Sequence, residues 1–180
     1  MKTETILISS TQYPYYGGSA TNAYALIKEF RRKGYKTAGL FINKKDENIE
    51  PDKIGGIFQL KDGDSPDIIK KRIDTYLGRI PSYIFAKNYV APIVCKKMYI
   101  SSKVAYLVAG CPQMMELSKN NISAIKYLNE KNIIIFQQEK DCFNIVDYVI
   151  PNSEIGKKLL IKHYGNNQKI LEPINTSIII

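Results

Sequence analysis

Short apolar runs rich in β-branched residues alternate along this chain with longer segments whose apolar positions recur every three or four residues. That is the pattern of strands and helices taking turns. Thr5 to Ser10 reads as the first strand. Ala20 to Lys33 reads as a helix with Ala23, Leu26, Ile27 and Phe30 on one face. Ser19 is placed to cap its start, Arg31, Arg32 and Lys33 suit the negative end of its dipole, and Gly34 suits the position just beyond it. With Thr37 to Asn43 as the second strand, these pieces make a β-α-β unit, whose crossover is right-handed.

The alternation continues. Gly56 to Leu60 reads as a strand, Pro66 to Leu77 as a helix, Ser82 to Lys87 as a strand, Ala91 to Met98 as a helix and Lys103 to Ala109 as a strand. Residues 112–131 have helical spacing. In Asn132 to Val146 the run Ile133-Ile134-Ile135-Phe136 has strand composition, but Phe136, Cys142 and Ile145 fit a helical face, and a helix is the reading adopted. Tyr148 to Pro151 is a strand, Glu154 to Tyr164 a helix ended by Gly165, and Lys169 to Ile174 extended. Strands with apolar, β-branched cores separated by helices predict a doubly wound, mainly parallel α/β sheet with helices on both faces.

Composition narrows the classes. The chain has 180 residues, 44% of them hydrophobic, enough for an ordinary packed core. No apolar run approaches the roughly 20 residues that span a bilayer, and Met1-Lys2-Thr3-Glu4 leads into a strand rather than a signal-peptide core. A cytoplasmic location, free or peripheral to a membrane, is expected. Cys95, Cys111 and Cys142 are too widely spaced for a zinc site or a disulfide framework, so free thiols are expected. The net charge of +9 comes from lysines spread over the whole chain. They read as solvated helix faces, or as contacts for anionic lipid or a phosphorylated ligand, and not as a nucleic-acid surface, because no basic stripe is interleaved with aromatics.

Ligands of doubly wound sheets bind beyond the carboxyl ends of the strands. This directs attention to Thr11 to Ala20, Lys87-Asn88-Tyr89, Gly110 to Gln113 and Asn152-Ser153-Glu154. The run from Ile6 through Tyr15-Tyr16-Gly17-Gly18-Ser19 passes from a strand through a glycine turn into a helix. Such a junction lets the backbone approach a ligand, and the helix start offers free N–H groups to a phosphate. A turn without a ligand has the same glycines. A dinucleotide fold is disfavoured, since G-x-G-x-x-G is absent and the second strand ends in Asn43 rather than an acid; a G-x-x-x-x-G-K-[ST] loop is absent too. His163, the only histidine, lies next to a helix end and reads as structural. Ser153 lacks a G-x-S-x-G elbow and reads as a helix cap. Lys87 fits either an anion contact or an exposed, solvated lysine.

Taken together, Tyr13-Pro14-Tyr15-Tyr16-Gly17-Gly18-Ser19-Ala20-Thr21-Asn22, Glu29-Phe30-Arg31-Arg32-Lys33-Gly34-Tyr35, Ala86-Lys87-Asn88 and Asp147-Tyr148-Val149-Ile150-Pro151-Asn152-Ser153-Glu154 resemble the N-terminal domain of family 4-like glycosyltransferases. These have the two-domain GT-B architecture. The resemblance implies a Rossmann-like, acceptor-side domain over residues 1–168, with residues 169–180 beginning the crossover to a donor-binding domain supplied in cis or in trans. It implies transfer of a sugar from a nucleotide-sugar, with retention and without a metal, to a glycan, lipid or protein acceptor. The nucleotide-sugar is a substrate, and no cofactor is implied. Gly17, Gly18 and Ser19 would meet the donor diphosphate. Tyr15, Tyr16, Asn22, Lys87, Asn88, Gly110 and Ser153 would line the acceptor side of the cleft. The histidine that many members carry after the fifth strand is replaced here by Ala109-Gly110, so no catalytic residue is assigned. Half a cleft is expected to be inactive alone. The alternatives are a non-enzymatic module binding a phosphorylated ligand or a protein, and an epimerase or phosphorylase of the same architecture.

Overall fold

The computed structural model of the chain describes residues 2–11, 18–43, 55–108, 130–165 and 168–174. Its first strand, β1 (Thr5–Ser10), is buried at all six positions. A glycine start opens helix α1 (Gly18–Arg32), which returns the chain to β2 (Lys36–Asn43). Then come β3 (Ile57–Lys61), α2 (Pro66–Leu77), β4 (Tyr83–Lys87), α3 (Val90–Met98) and β5 (Lys103–Val108). The described chain resumes in α4 (Glu130–Ile145) and ends with β6 (Tyr148–Pro151) and α5 (Glu154–Tyr164). The six strands form one sheet in the order β3-β2-β1-β4-β5-β6, and every neighbouring pair is parallel. This is the doubly wound, Rossmann-like α/β fold. Residues 112–129, expected to be helical, lie outside the described residues.

Local chemistry explains the element ends. At the close of α1 the Gly34 N–H donates to the Arg31 carbonyl (2.9 Å) and the Tyr35 N–H to the Phe30 carbonyl (3.0 Å). Gly34 takes φ 84°, and the Phe30 and Tyr35 rings meet edge-on. This is a Schellman closure with its hydrophobic contact, and the positive φ is the reason the position is glycine. β3 begins at Ile57 rather than Gly56, because Gly56 sits at φ 69°, outside the extended region. Helix α4 confirms helical over strand character for residues 132–145. Cys142, Phe143 and Val146, the residue just past its end, are buried at three- and four-residue spacing, and Phe143 stacks on Tyr164 of α5 at 4.1 Å between ring centres.

Side-chain alternation along the strands divides the core between the two faces of the sheet. Ile6, Ile8 and Phe41 pack with Ala23 and Ile27 of α1. Ala105, Leu107 and Ile150 lie on that same face, against Leu26 and Phe85. On the other face Leu7, Leu40, Ile84, Val104 and Val149 meet Ile69 and Ile73 of α2, Cys95 of α3, Phe143 of α4 and Leu160 of α5. Each large apolar side chain so covered contributes about 1.5–3 kcal/mol. Beyond α5 the chain runs beside β6: the Val149 N–H donates to the Lys169 carbonyl, and the Leu171 and Ile174 N–H groups donate to the carbonyls of Val149 and Pro151.

At the amino-terminal edge of the sheet, Asp147 ties three elements together. Its Oδ2 accepts from Lys96 Nζ of α3 (2.8 Å) and from the Val104 N–H of β5 (2.9 Å), and its Oδ1 accepts from Lys103 Nζ (3.3 Å). Burial alone would raise the carboxyl pKa, but Lys96, the Val104 N–H and Lys103 outweigh it and hold the group below its ordinary 3.8. A carboxylate with a lowered folded pKa adds stability that is complete above the pKa of an unfolded aspartate and fades as pH falls through the folded value. Asp147→Ala should therefore cost about 1–3 kcal/mol at neutral pH. Urea denaturation should show the gap to the unsubstituted chain closing as pH drops below about 4.

Candidate functional site

Where the sequential order of strands reverses, between β1 and β4, the helices that follow leave on opposite faces and a crevice opens outside the carboxyl ends of the strands. In this sheet β1 connects through α1 to β2 on one side and pairs with β4 on the other. The rim at that end is made by Ser10, the start of α1, Lys87-Asn88 and Pro151-Asn152-Ser153.

The residues expected there have different fates. Gly17, Tyr15, Tyr16 and Gly110 lie outside the described residues. Gly18 and Ser19 are the first two residues of α1, so the helix starts earlier than expected, and Ser19 lies inside it instead of capping it. Their N–H groups belong to the first turn, where a helix has no internal acceptors and the dipole is positive. Asn22, half-buried, stands one turn before Leu26 on the same stripe of α1. Asn88 is exposed and adopts φ 66°, which among the described residues no other non-glycine shares in sign. Its Oδ1 accepts from the Val90 N–H (3.1 Å), a turn that Asn tolerates well and that starts α3. Ser153 is extended at φ −161° and its Oγ accepts from the Gly156 N–H (3.1 Å), so it caps α5. His163 falls in the last turn of α5, roughly 15 Å along the helix from that cap and away from the rim.

Lys87 is the correction of most consequence. The exposed, solvated lysine that the sequence left open is not what the structure has: Lys87 is 1% exposed. It follows Phe85 on the face of the sheet covered by α1, and it lines a cavity of about 80 Å³ whose wall is otherwise almost entirely apolar. Leu26 and Phe30 close the cavity from α1, Leu107, Val108 and Ile150 from the sheet, and Asn152 and Ile174 stand at its border. Among the described residues no carboxylate forms an ion pair with Lys87. Burial pulls its pKa down from 10.5 to about 8, so the amine remains mostly an ammonium at neutral pH.

A second polar group here escaped the sequence reading. Ser10 is fully buried, and among the described residues its Oγ has no hydrogen-bond partner. The signal was available, since two serines close a strand that is otherwise apolar. Cysteine chemistry is disfavoured at the two cysteines among the described residues. Cys95 and Cys142 are free and buried; burial pushes the Cys95 thiol up to about 12 and raises Cys142 as well, leaving no thiolate at neutral pH. Among the described residues no group of three or more His, Cys, Asp and Glu side chains converges in a way that could hold a metal, and no helix is long and apolar enough to cross a membrane.

No family model matches the chain, and the curated proteins give no match. Solved structures do share its fold. Sucrose-phosphate synthase from Thermosynechococcus elongatus superposes with a TM-score of 0.62 at 13% identity, over 96% of this chain and 48% of that one. Anabaena HepE in complex with UDP-glucose gives 0.56 at 12%, over 96% and 44%. UDP-GlcNAc 2-epimerase from Methanocaldococcus jannaschii gives 0.55 at 14%, over 93% and 45%. The chain thus spans about half the length of these proteins and has the fold of one half of a two-domain GT-B architecture.

The buried ammonium carries a stability cost with a definite sign. A lysine whose folded pKa is lowered binds its proton less well folded than unfolded, so stability rises as pH climbs from about 8 toward 10.5. Lys87→Met should accordingly raise stability at pH 7 by about 1–2 kcal/mol, after allowing for partial solvent screening. The advantage should shrink as pH approaches 10.5. Chemical denaturation of both chains across this range checks it.

Proposed function

We propose that this chain is the acceptor-side half of a glycosyltransferase that moves a sugar from a nucleotide-sugar to an acceptor, working with a second, donor-binding half in cis or in trans. The observation that carries this reading is the extent of the likeness in fold: nearly the whole chain matches slightly less than half of proteins that include a sucrose-phosphate synthase and a protein holding UDP-glucose. The family 4-like motifs around Gly17-Gly18, Ala86-Lys87-Asn88 and Pro151-Asn152-Ser153 support it from the sequence.

The chemistry asks for little that a helix start cannot supply. As the glycosidic bond to the donor breaks, negative charge gathers on the departing nucleoside diphosphate. Backbone N–H groups of Gly18 and Ser19, fixed at the positive end of α1, would stabilise that charge without reorganising, and glycine lets the phosphate approach the backbone closely. Asn22, and Tyr15, Tyr16, Asn88, Gly110 and Ser153 around the rim, would position the acceptor. Retention without a metal is the stereochemical and chemical course proposed, with a lipid, glycan or protein as acceptor. The basic surface would serve an anionic membrane in the first case. The likeness to an epimerase supports a second reading, in which the nucleotide-sugar is rearranged with no acceptor at all.

The test is release of nucleoside diphosphate from a panel of nucleotide-sugars, measured for the chain alone and together with a donor-binding half. Release should require both halves and rise when an acceptor extract is added. Conversion of the sugar with no acceptor dependence would favour the epimerase, and turnover by the chain alone at the rate of the joined halves would overturn the two-half account. In the joined protein, Gly18→Val should lower kcat/KM by about 10²–10³, the scale of losing one preorganised donor.

A further inference from the structure

We propose that the cavity between α1 and the carboxyl ends of β4, β5 and β6 is a binding site for a carboxylate carried on a short apolar chain, with the Lys87 ammonium as its counter-ion. The inference concerns this chain's own pocket and does not depend on the donor chemistry proposed above.

β1 and β4 run parallel with Ile6 beside Tyr83, Leu7 beside Ile84, Ile8 beside Phe85 and Ser9 beside Ala86. One step further along both strands sets Ser10 beside Lys87. Alternation puts the two on the same face: Ser10 follows Ile6 and Ile8 on the α1 side, and Lys87 follows Phe85 there. Two polar side chains, each at most 1% exposed, therefore stand next to one another at the point where the strand order reverses. Among the described residues Ser10 Oγ has no partner, and Lys87 has no ion pair.

Buried polar groups are nearly always satisfied, and an unpaired buried charge is more costly than an unpaired hydroxyl. At the opposite edge of this same sheet, two lysines share Asp147, so lysines here do find partners where none is owed to a ligand. A buried ammonium lining the cavity without a counter-ion among the described residues calls for an acceptor that carries negative charge. The lining identifies which anion. Among the described residues one cationic side chain faces the cavity and no arginine joins it, which balances a single negative charge and leaves a phosphate dianion half-neutralised. The remaining wall, with Leu26, Phe30, Phe85, Leu107 and Ile150, is apolar and suits methylenes rather than hydroxyls. The volume of about 80 Å³, in a measure where one water takes about 10–15 Å³, leaves room for a carboxyl group and a short run of methylenes.

The experiment titrates the 180-residue chain with acetate, butyrate and hexanoate, and separately with inorganic phosphate, at fixed ionic strength. Methyl NMR signals of Leu26, Leu107 and Ile150 report occupancy. Saturable shifts are expected at those methyls, with butyrate binding at least severalfold more tightly than acetate and phosphate producing no saturation. Lys87→Met should weaken butyrate binding tenfold or more while the methyl spectrum stays dispersed. Absence of saturable shifts with every carboxylate would overturn the proposal. So would phosphate binding as tightly as butyrate, or butyrate binding unchanged in Lys87→Met. Should Lys87→Met not fold, the carboxylate series and the phosphate titration still decide the matter.

Discussion

A strand that is buried along its whole length and paired with parallel neighbours on both sides leaves the chain very little freedom. Thr5–Ser10 is such a strand. Parallel partners cannot be joined by a tight turn, so each connection must cross the sheet, usually as a helix. Because β2 lies on one side of β1 and β4 on the other, the crossovers diverge and their loops collect outside the carboxyl ends. The packing of Ile6 and Ile8 against α1 and of Leu7 on the other face is what fixes the start of α1 above Ser10. The candidate site is thus a consequence of how β1 is buried.

The two edges of the sheet treat charge in opposite ways. At the amino-terminal edge Asp147, Lys96, Lys103 and a backbone N–H satisfy one another, and the result is a fastening between α3, β5 and the entry to β6. At the carboxyl edge Lys87 is drawn into an apolar cavity and Ser10 is buried with nothing to bond. Groups that cost stability in the folded state are what binding sites are made of, since the ligand supplies the missing interaction. The distinction between the edges is one of partners, because a lysine stands at each.

Much of this was legible from residues alone. The bounds of α2, β6 and α5 follow from Pro66, Pro151 and Gly165 and from apolar spacing, and the Schellman closure at Gly34 could be read from a basic last turn followed by glycine. The position of Ser153 at a strand-to-helix junction announced a cap, and the geometry agrees. Local rules failed where neighbours in space decide. Alternation says that Phe85 and Lys87 share a face, but only the packing of α1 over that face makes Lys87 buried instead of solvated. Ser10 read as the end of the first strand, but its place beside Lys87 was not legible because the register of β1 with β4 is a long-range fact. The start of α1 at Gly18 likewise overrode a local preference for serine at the cap. The glycine junction at Tyr15, Tyr16 and Gly17 lies outside the described residues, so its role in meeting a diphosphate rests on the sequence pattern.

The central claim is that the rim at the carboxyl ends of β1, β4 and β6 is the functional face of a nucleotide-sugar enzyme half. Amide hydrogen exchange of the chain joined to a donor-binding half, with and without a nucleotide-sugar, tests it most directly. The account predicts slowed exchange at residues 18–22, 87–90 and 152–156, and no change at residues 78–82, 99–103 and 146–148 on the opposite edge. Protection at the opposite edge, or turnover with no protection at the rim, would contradict it.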